Sequence, residues 1–277
     1  MIFDNKRILR VLTVSFALLC SVYAQQYQLK NGKRFSMEEV KVENANFIVS
    51  IPTPRGLETY TFTVKDISVV TFPFNKELSK AEDLFLRGQF DEAAEQTKLA
   101  QTANEKYMML PGSPWTEACK LQLDLAQAAG LRSAEVDSLA KFDKIAVSDS
   151  TMLNILVAIT DAPSTEVGVT KLLEIVKSEQ NAGVKARALL RVGDILKSLG
   201  KLESAAKHYL QIPAFYSSEN FLSLRAIIQA SDVLYQMQRK EDSVKLLKDF
   251  LLDDPTSTFR EIIESKIKMN QSQKVSQ

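Results

Sequence analysis

The sequence predicts a mainly helical α+β protein: a small N-terminal β-sheet or barrel followed by an α-α solenoid of about five helical hairpins. Three observations predict it. From Gln25 to about Phe74 apolar and polar residues alternate in period two, with many β-branched and aromatic side chains. After Pro73 the apolar period becomes helical and stays so almost to the end. Within that helical part small residues recur twelve positions apart, as Ala81 with Ala93, Gly193 with Ala205 and Ser231 with Ser243. Such pairs suit places where two helix backbones approach closely.

Residues 1–24 read as an export signal, to be set aside before the fold. Lys6, Arg7 and Arg10 form a positive start, the apolar run Val11–Val22 follows, and Val22-Tyr23-Ala24 precedes an expected cut ahead of Gln25. The run is shorter than the roughly 20 apolar residues a spanning helix needs, so a cleaved signal is expected rather than an anchor. Leu19 before Cys20 is too large for a lipoprotein signal. Cleavage removes Asp4, Lys6, Arg7 and Arg10, so the mature charge becomes +1 − 2 = −1. It also leaves Cys119 as the one cysteine, so no internal disulfide can form, and the expected location is a bacterial periplasm or the medium.

The β region, residues 25–74, should contain five short strands in a small, strongly curved sheet or an SH3-like barrel. Tyr27–Leu29 and Phe35 flank Asn31-Gly32, expected to be a tight primed turn. Val40 and Val42 alternate with charged neighbours, Phe47–Ile51 follows an Asn44-Ala45-Asn46 turn, and Pro52–Gly56 reads as a loop. Thr59–Val64 and Ile67–Phe72 complete the set. Lys30, Lys33, Arg34 and Lys41 form a basic rim. Solvated edge lysines that guard against strand pairing explain it, and export argues against nucleic acid.

The helical region spans 75–269, with 270–277 as a polar tail. Glu77–Arg87 and Phe90–Lys106 form the first hairpin, turned by Gly88. Ser113 caps the next helix and Pro114 takes its first position, where a missing N–H costs nothing. That helix ends near Gly130, and its partner is expected at Ala134–Ala146. Ser150–Thr160 and Ser164–Glu179 form a third pair lacking the small-residue signature, and Phe259–Met269 caps the array.

The strongest local pattern lies in Ala186–Ile212. Leu189-x-x-Val192-Gly193-x-x-Leu196 followed by Ala205-x-x-x-Tyr209 resembles the tetratricopeptide repeat, with Leu189 for its Trp and Leu196 for its Tyr. The next segment keeps the spacing with Ile227, Ala230, Ser231, Leu234, Ser243, Leu247 and Pro255. The 112 residues from Ala81 to Gly193 hold three intervals of about 37, near the length of such repeats. The β module followed by a helical array also resembles uncharacterised exported bacterial repeat proteins, a likeness of architecture that adds no chemistry.

Catalytic and cofactor signatures are missing. One His, and one Cys after cleavage, cannot build a metal site, and neither H-E-x-x-H nor C-x-x-C occurs. His208 reads as a rim residue, with no G-x-S-x-G elbow to make a triad. Phosphate cradles of the G-x-x-x-x-G-K or G-x-G-x-x-G kind are absent, so no cofactor is expected. What remains is recognition. Arg187, Leu190, Asp194 and Lys197 form a second stripe on one helix, matched by Arg225, Ile228, Asp232 and Tyr235 on another. The resemblance implies that these eight positions line a concave groove for a protein or peptide. The arginines then hold acidic groups, and Leu190, Ile228 and Tyr235 give apolar contact. The alternative is that Arg and Asp pair with each other along a solvated face. The expected function is an exported, non-enzymatic binding scaffold. A structural subunit of an envelope or secretion assembly is the runner-up, and an envelope enzyme a distant third.

Overall fold

The computed structural model describes residues 26–43, 46–130, 146–253 and 259–272. The expected signal segment, the Asn44-Ala45 turn, the helix at 134–146 save its last residue, and Pro255 lie outside them.

Six strands open the fold: β1 (Gln26–Leu29), β2 (Arg34–Ser36), β3 (Val40–Glu43), β4 (Asn46–Thr53), β5 (Gly56–Phe62) and β6 (Ile67–Thr71). They form two three-stranded antiparallel sheets, ordered β2-β1-β6 and β3-β4-β5. Six strands stand where five were expected, and the hairpin read from Tyr27–Leu29 to Phe35 is present, with Tyr27 opposite Phe35. Alternation does the folding: Tyr27, Leu29, Phe47 and Val49 point inward on β1 and β4. There Tyr27 meets Phe47 at 5.5 Å, and Phe62 stacks on Phe47 at 5.4 Å and on Phe35 at 5.6 Å. These rings come from both sheets and make one shared core.

Two turns differ from the sequence expectation. Leu29 N–H donates to Lys33 O at 2.8 Å, closing a three-residue loop in which Gly32 alone has positive φ, at 84°. A primed turn needs positive φ at Asn31 as well, so this is the longer hairpin loop. Pro52 belongs to β4, opposite Leu57, rather than to a loop. It is tolerated because β3 pairs with β4 only as far as Val49, leaving that edge of Pro52 without a neighbour to bond.

Ten helices follow among the described residues: α1 (Lys76–Leu86), α2 (Phe90–Ala103), α3 (Pro114–Ala129), α4 (Val147–Thr160), α5 (Glu166–Ser178), α6 (Ala182–Ser198), α7 (Leu202–Phe215), α8 (Asn220–Gln236), α9 (Lys240–Asp253) and α10 (Arg260–Ser272). Side chains cap the starts of α1, α3 and α6. Asn75 Oδ1 accepts from Leu78 N–H at 3.0 Å, Ser113 Oγ from Thr116 N–H at 3.3 Å, and Asn181 Oδ1 from Val184 N–H at 3.0 Å.

Three hairpins, α1/α2, α6/α7 and α8/α9, share one geometry. Each small residue is followed seven positions later by a residue of positive φ: Gly88 at 77°, Gly200 at 73° and Gln238 at 61°. The next N–H in each case reaches five residues back: Gln89 to Leu84 O, Lys201 to Leu196 O and Arg239 to Leu234 O, all at 2.9 Å. Ala81, Ala93, Ala205, Ser231 and Ser243 show no exposed surface. Gly193 lies against the Tyr209 ring, where a Cβ would fall 2.4 Å from Cε1. In the last hairpin the small residues are serines, whose hydroxyls bond at 2.8 Å. Asn270 of α10 donates to Ser243 Oγ at 2.9 Å and Ser231 Oγ at 3.2 Å. The residue read as the start of a tail thus satisfies a buried polar pair.

The helices α1, α3, α4, α6 and α8 touch in that order, with α2 packed between α1 and α3 and α7 between α6 and α8. The expected third pair differs: α5 packs on α6 rather than along α4, because Pro163 and the bend at Ser164 turn the chain away. The β region is seated on this array through Tyr107 and Leu110, in the link between α2 and α3, which join the aromatic β core.

Candidate functional site

Helices from both ends of the helical region line an open cavity of about 970 Å³. Its walls come from α1, the start of α2, α3, α6, α8 and α10. Of the eight stripe residues, Asp194, Lys197, Arg225, Ile228 and Asp232 line it. Arg187 is half-buried beside the lining rather than in it, Leu190 is fully buried in the helical core, and Tyr235 is half-buried with Lys240 Nζ 5.0 Å from its ring centre.

A carboxylate that sequence reasoning passed over organises the inner wall. Asp124 on α3 is 2% exposed and accepts from both arginines: Arg187 Nη2 lies 3.0 Å from Oδ2, and Arg225 Nη1 lies 3.0 Å from Oδ1. Arg225 Nη2 also stands 3.8 Å from Asp194, which accepts from Tyr209 Oη at 2.6 Å and Gln127 Nε2 at 2.7 Å. The signal for Asp124 was an acid inside the apolar run Leu121-Gln122-Leu123-Asp124-Leu125. A lone buried charge demands a partner.

Electrostatics follow from this burial. Desolvation, with Glu117 nearby, pushes the Glu82 carboxyl up to about 7, while Arg187 pulls the other way. Burial first, then the charge of Asp194, raises the Tyr209 phenol, which remains a neutral donor. The Cys119 thiol is raised chiefly by its burial, so it is no nucleophile near neutral pH. His208 is lowered by burial, and its Nδ1 lies 3.2 Å from Gln211 Oε1.

Elsewhere on the lining the pairing thins. Lys266 of α10 bonds Asp232 at 2.5 Å. Lys197 Nζ donates to the neutral Gln229 Oε1 at 3.2 Å, and no carboxylate among the described residues pairs with it. Ile228, Ile262, Phe85 and Met269 give the same cavity apolar surface. A cation with a neutral partner beside apolar side chains can hold an acidic group on an otherwise apolar ligand.

No protein-family model matches this chain, and neither the curated proteins nor the solved structures yield a match. Its function is therefore argued from its own residues. Among the described residues no helix is long and apolar enough to cross a membrane, and no three His, Cys, Asp or Glu side chains converge as metal donors.

Proposed function

We propose that the protein is an exported, non-enzymatic scaffold of the tetratricopeptide type that binds a protein or peptide segment inside its curved helix array. The observation that carries this reading is the cavity lined by Asp194, Lys197, Arg225, Ile228 and Asp232, five positions of the repeated stripe. With Arg187 and Arg225 both committed to Asp124, the acid-binding role passes to Lys197, and Ile228 with Ile262 contacts apolar side chains. The three shared hairpin turns support the repeat assignment. The charged start and apolar run before Gln25 support export to the periplasm.

The test is fluorescence anisotropy with labelled hexapeptides, acidic or basic, with and without apolar residues. Acidic peptides bearing apolar residues should bind, and Lys197→Glu should weaken them about tenfold or more, the worth of a charge-assisted hydrogen bond. Equal binding by the variant, or no peptide bound, overturns the reading. In the runner-up, a structural subunit of an envelope assembly, peptides fail while crosslinking in the envelope fraction joins whole subunits. The exposed Phe215 and Leu252, at the ends of α7 and α9, are the observation that favours it.

A further inference from the structure

The cavity draws its walls from both ends of the helical region. Phe85, Leu86 and Arg87 come from α1 and the turn after it, and Ile262, Lys266 and Met269 from α10. These ends meet through few contacts. The Phe85 ring meets Phe221 edge-on at 5.5 Å, and the Arg225 guanidinium lies 5.0 Å from the centre of the Phe85 ring. Arg87 Nη2 stands 3.6 Å from Glu261, and Leu86 packs beside the cluster of Leu224, Ile227 and Ile263. Hairpins elsewhere bury whole helix faces against each other, whereas this junction is a patch of side chains.

We propose that this junction is a latch, and that the cavity is a closure-dependent site whose occupant, an acidic peptide segment bearing apolar residues, ties α1 to α8 and α10. In a stacked array each element leans on its neighbours, so small rotations at each interface add up to a large displacement of the ends. A ligand that touches both ends only when they are closed binds the closed form better, and it shifts the population by that difference. Arg225 joins the two halves: it bonds Asp124 and Asp194 within the wall while its guanidinium covers Phe85. The ligand half of this proposal rests on the cavity being a binding site. The latch half does not.

The test is a distance measurement by pulsed electron resonance, with spin labels at exposed Gln89→Cys and Lys268→Cys in the full chain carrying Cys20→Ser; Cys119 is buried and unlabelled. The latch variant is Phe221→Ala with Glu261→Arg, which removes the ring contact and sets two arginines face to face. It should shift the distance distribution to longer values while circular dichroism stays native. If that variant fails to fold, Glu261→Arg alone, at an exposed site, must broaden the distribution. An unchanged distribution overturns the latch. Anilinonaphthalene sulfonate, an apolar anion, is the probe for the second half, its own fluorescence reporting binding. It should restore the short distance in the latch variant and lose that effect with Lys197→Glu. Distances unmoved by bound probe overturn the coupling. Fluorescence that ignores Lys197→Glu counts instead against the binding-site reading.

Discussion

The Tyr209 ring of α7 lies flat against the backbone of Gly193 on α6, with Cε1 only 2.4 Å from where a Cβ at that position would stand. The ring cannot swing aside, because it is fully buried and its hydroxyl donates to Asp194 at 2.6 Å. Gly193→Ala must therefore push the two helices apart or break that bond. The expected cost is about 1–3 kcal/mol, the usual range for overpacking, read as a lower urea midpoint. An unchanged midpoint would show that the helices separate freely.

Asp124→Asn should be far more damaging than its size suggests. It leaves Arg187 and Arg225 without their shared carboxylate, with the Arg225 side chain only 5% exposed. Removing one partner of a buried pair costs about 3–5 kcal/mol. Asp83→Asn, at the exposed Arg87 pair, should cost about 0–1 kcal/mol. Chemical denaturation of both variants measures the contrast, and equal losses would contradict the assignment of Asp124 as the centre of the wall.

Glu82 sets a pH dependence. Its folded pKa is raised from 4.5 to about 7, so between those values the folded state holds a proton that the unfolded state has released. Stability from this group is therefore greatest in acid and falls as pH rises from 4.5 through about 7. Glu82→Gln should be more stable than the native chain above that window and lose the advantage below it. Denaturation midpoints of the two proteins across the window give the difference, in which other titrations cancel.

Gln238 occupies the turn position that Gly88 and Gly200 fill in the other hairpins, at a φ of 61°. A side chain there costs about 1 kcal/mol that glycine avoids. Gln238→Gly should raise the melting temperature, and a lowered one would mean that the glutamine side chain is held by contacts worth more than the strain.

Asn270→Ala removes the donor shared by Ser231 and Ser243 at the seat of α10. An unmet buried polar group costs about 1–3 kcal/mol. The loss should appear as faster amide exchange in α10 and the facing turns of α8 and α9. Replacing all three, with Ser231→Ala, Ser243→Ala and Asn270→Leu, should recover much of the protection, since no polar group is then stranded.

The sequence by itself determined what near neighbours decide. The period change after Pro73, the Ser113 cap with Pro114 and the twelve-residue spacing were all legible, because each depends on residues within a turn or a hairpin. The unprimed loop at Gly32 and the paired Pro52 were misread, since strand register depends on which partner is absent as much as on the residue itself. The tertiary structure alone decided that Arg225 meets Asp124 across 101 positions, that Phe85 meets Phe221, that Asn270 serves two serines, and that Tyr107 anchors the β core. Local pattern tells a residue which face it shares. How far a row of helices curls is the sum of small rotations at every interface, and that sum chooses which charged side chains meet inside.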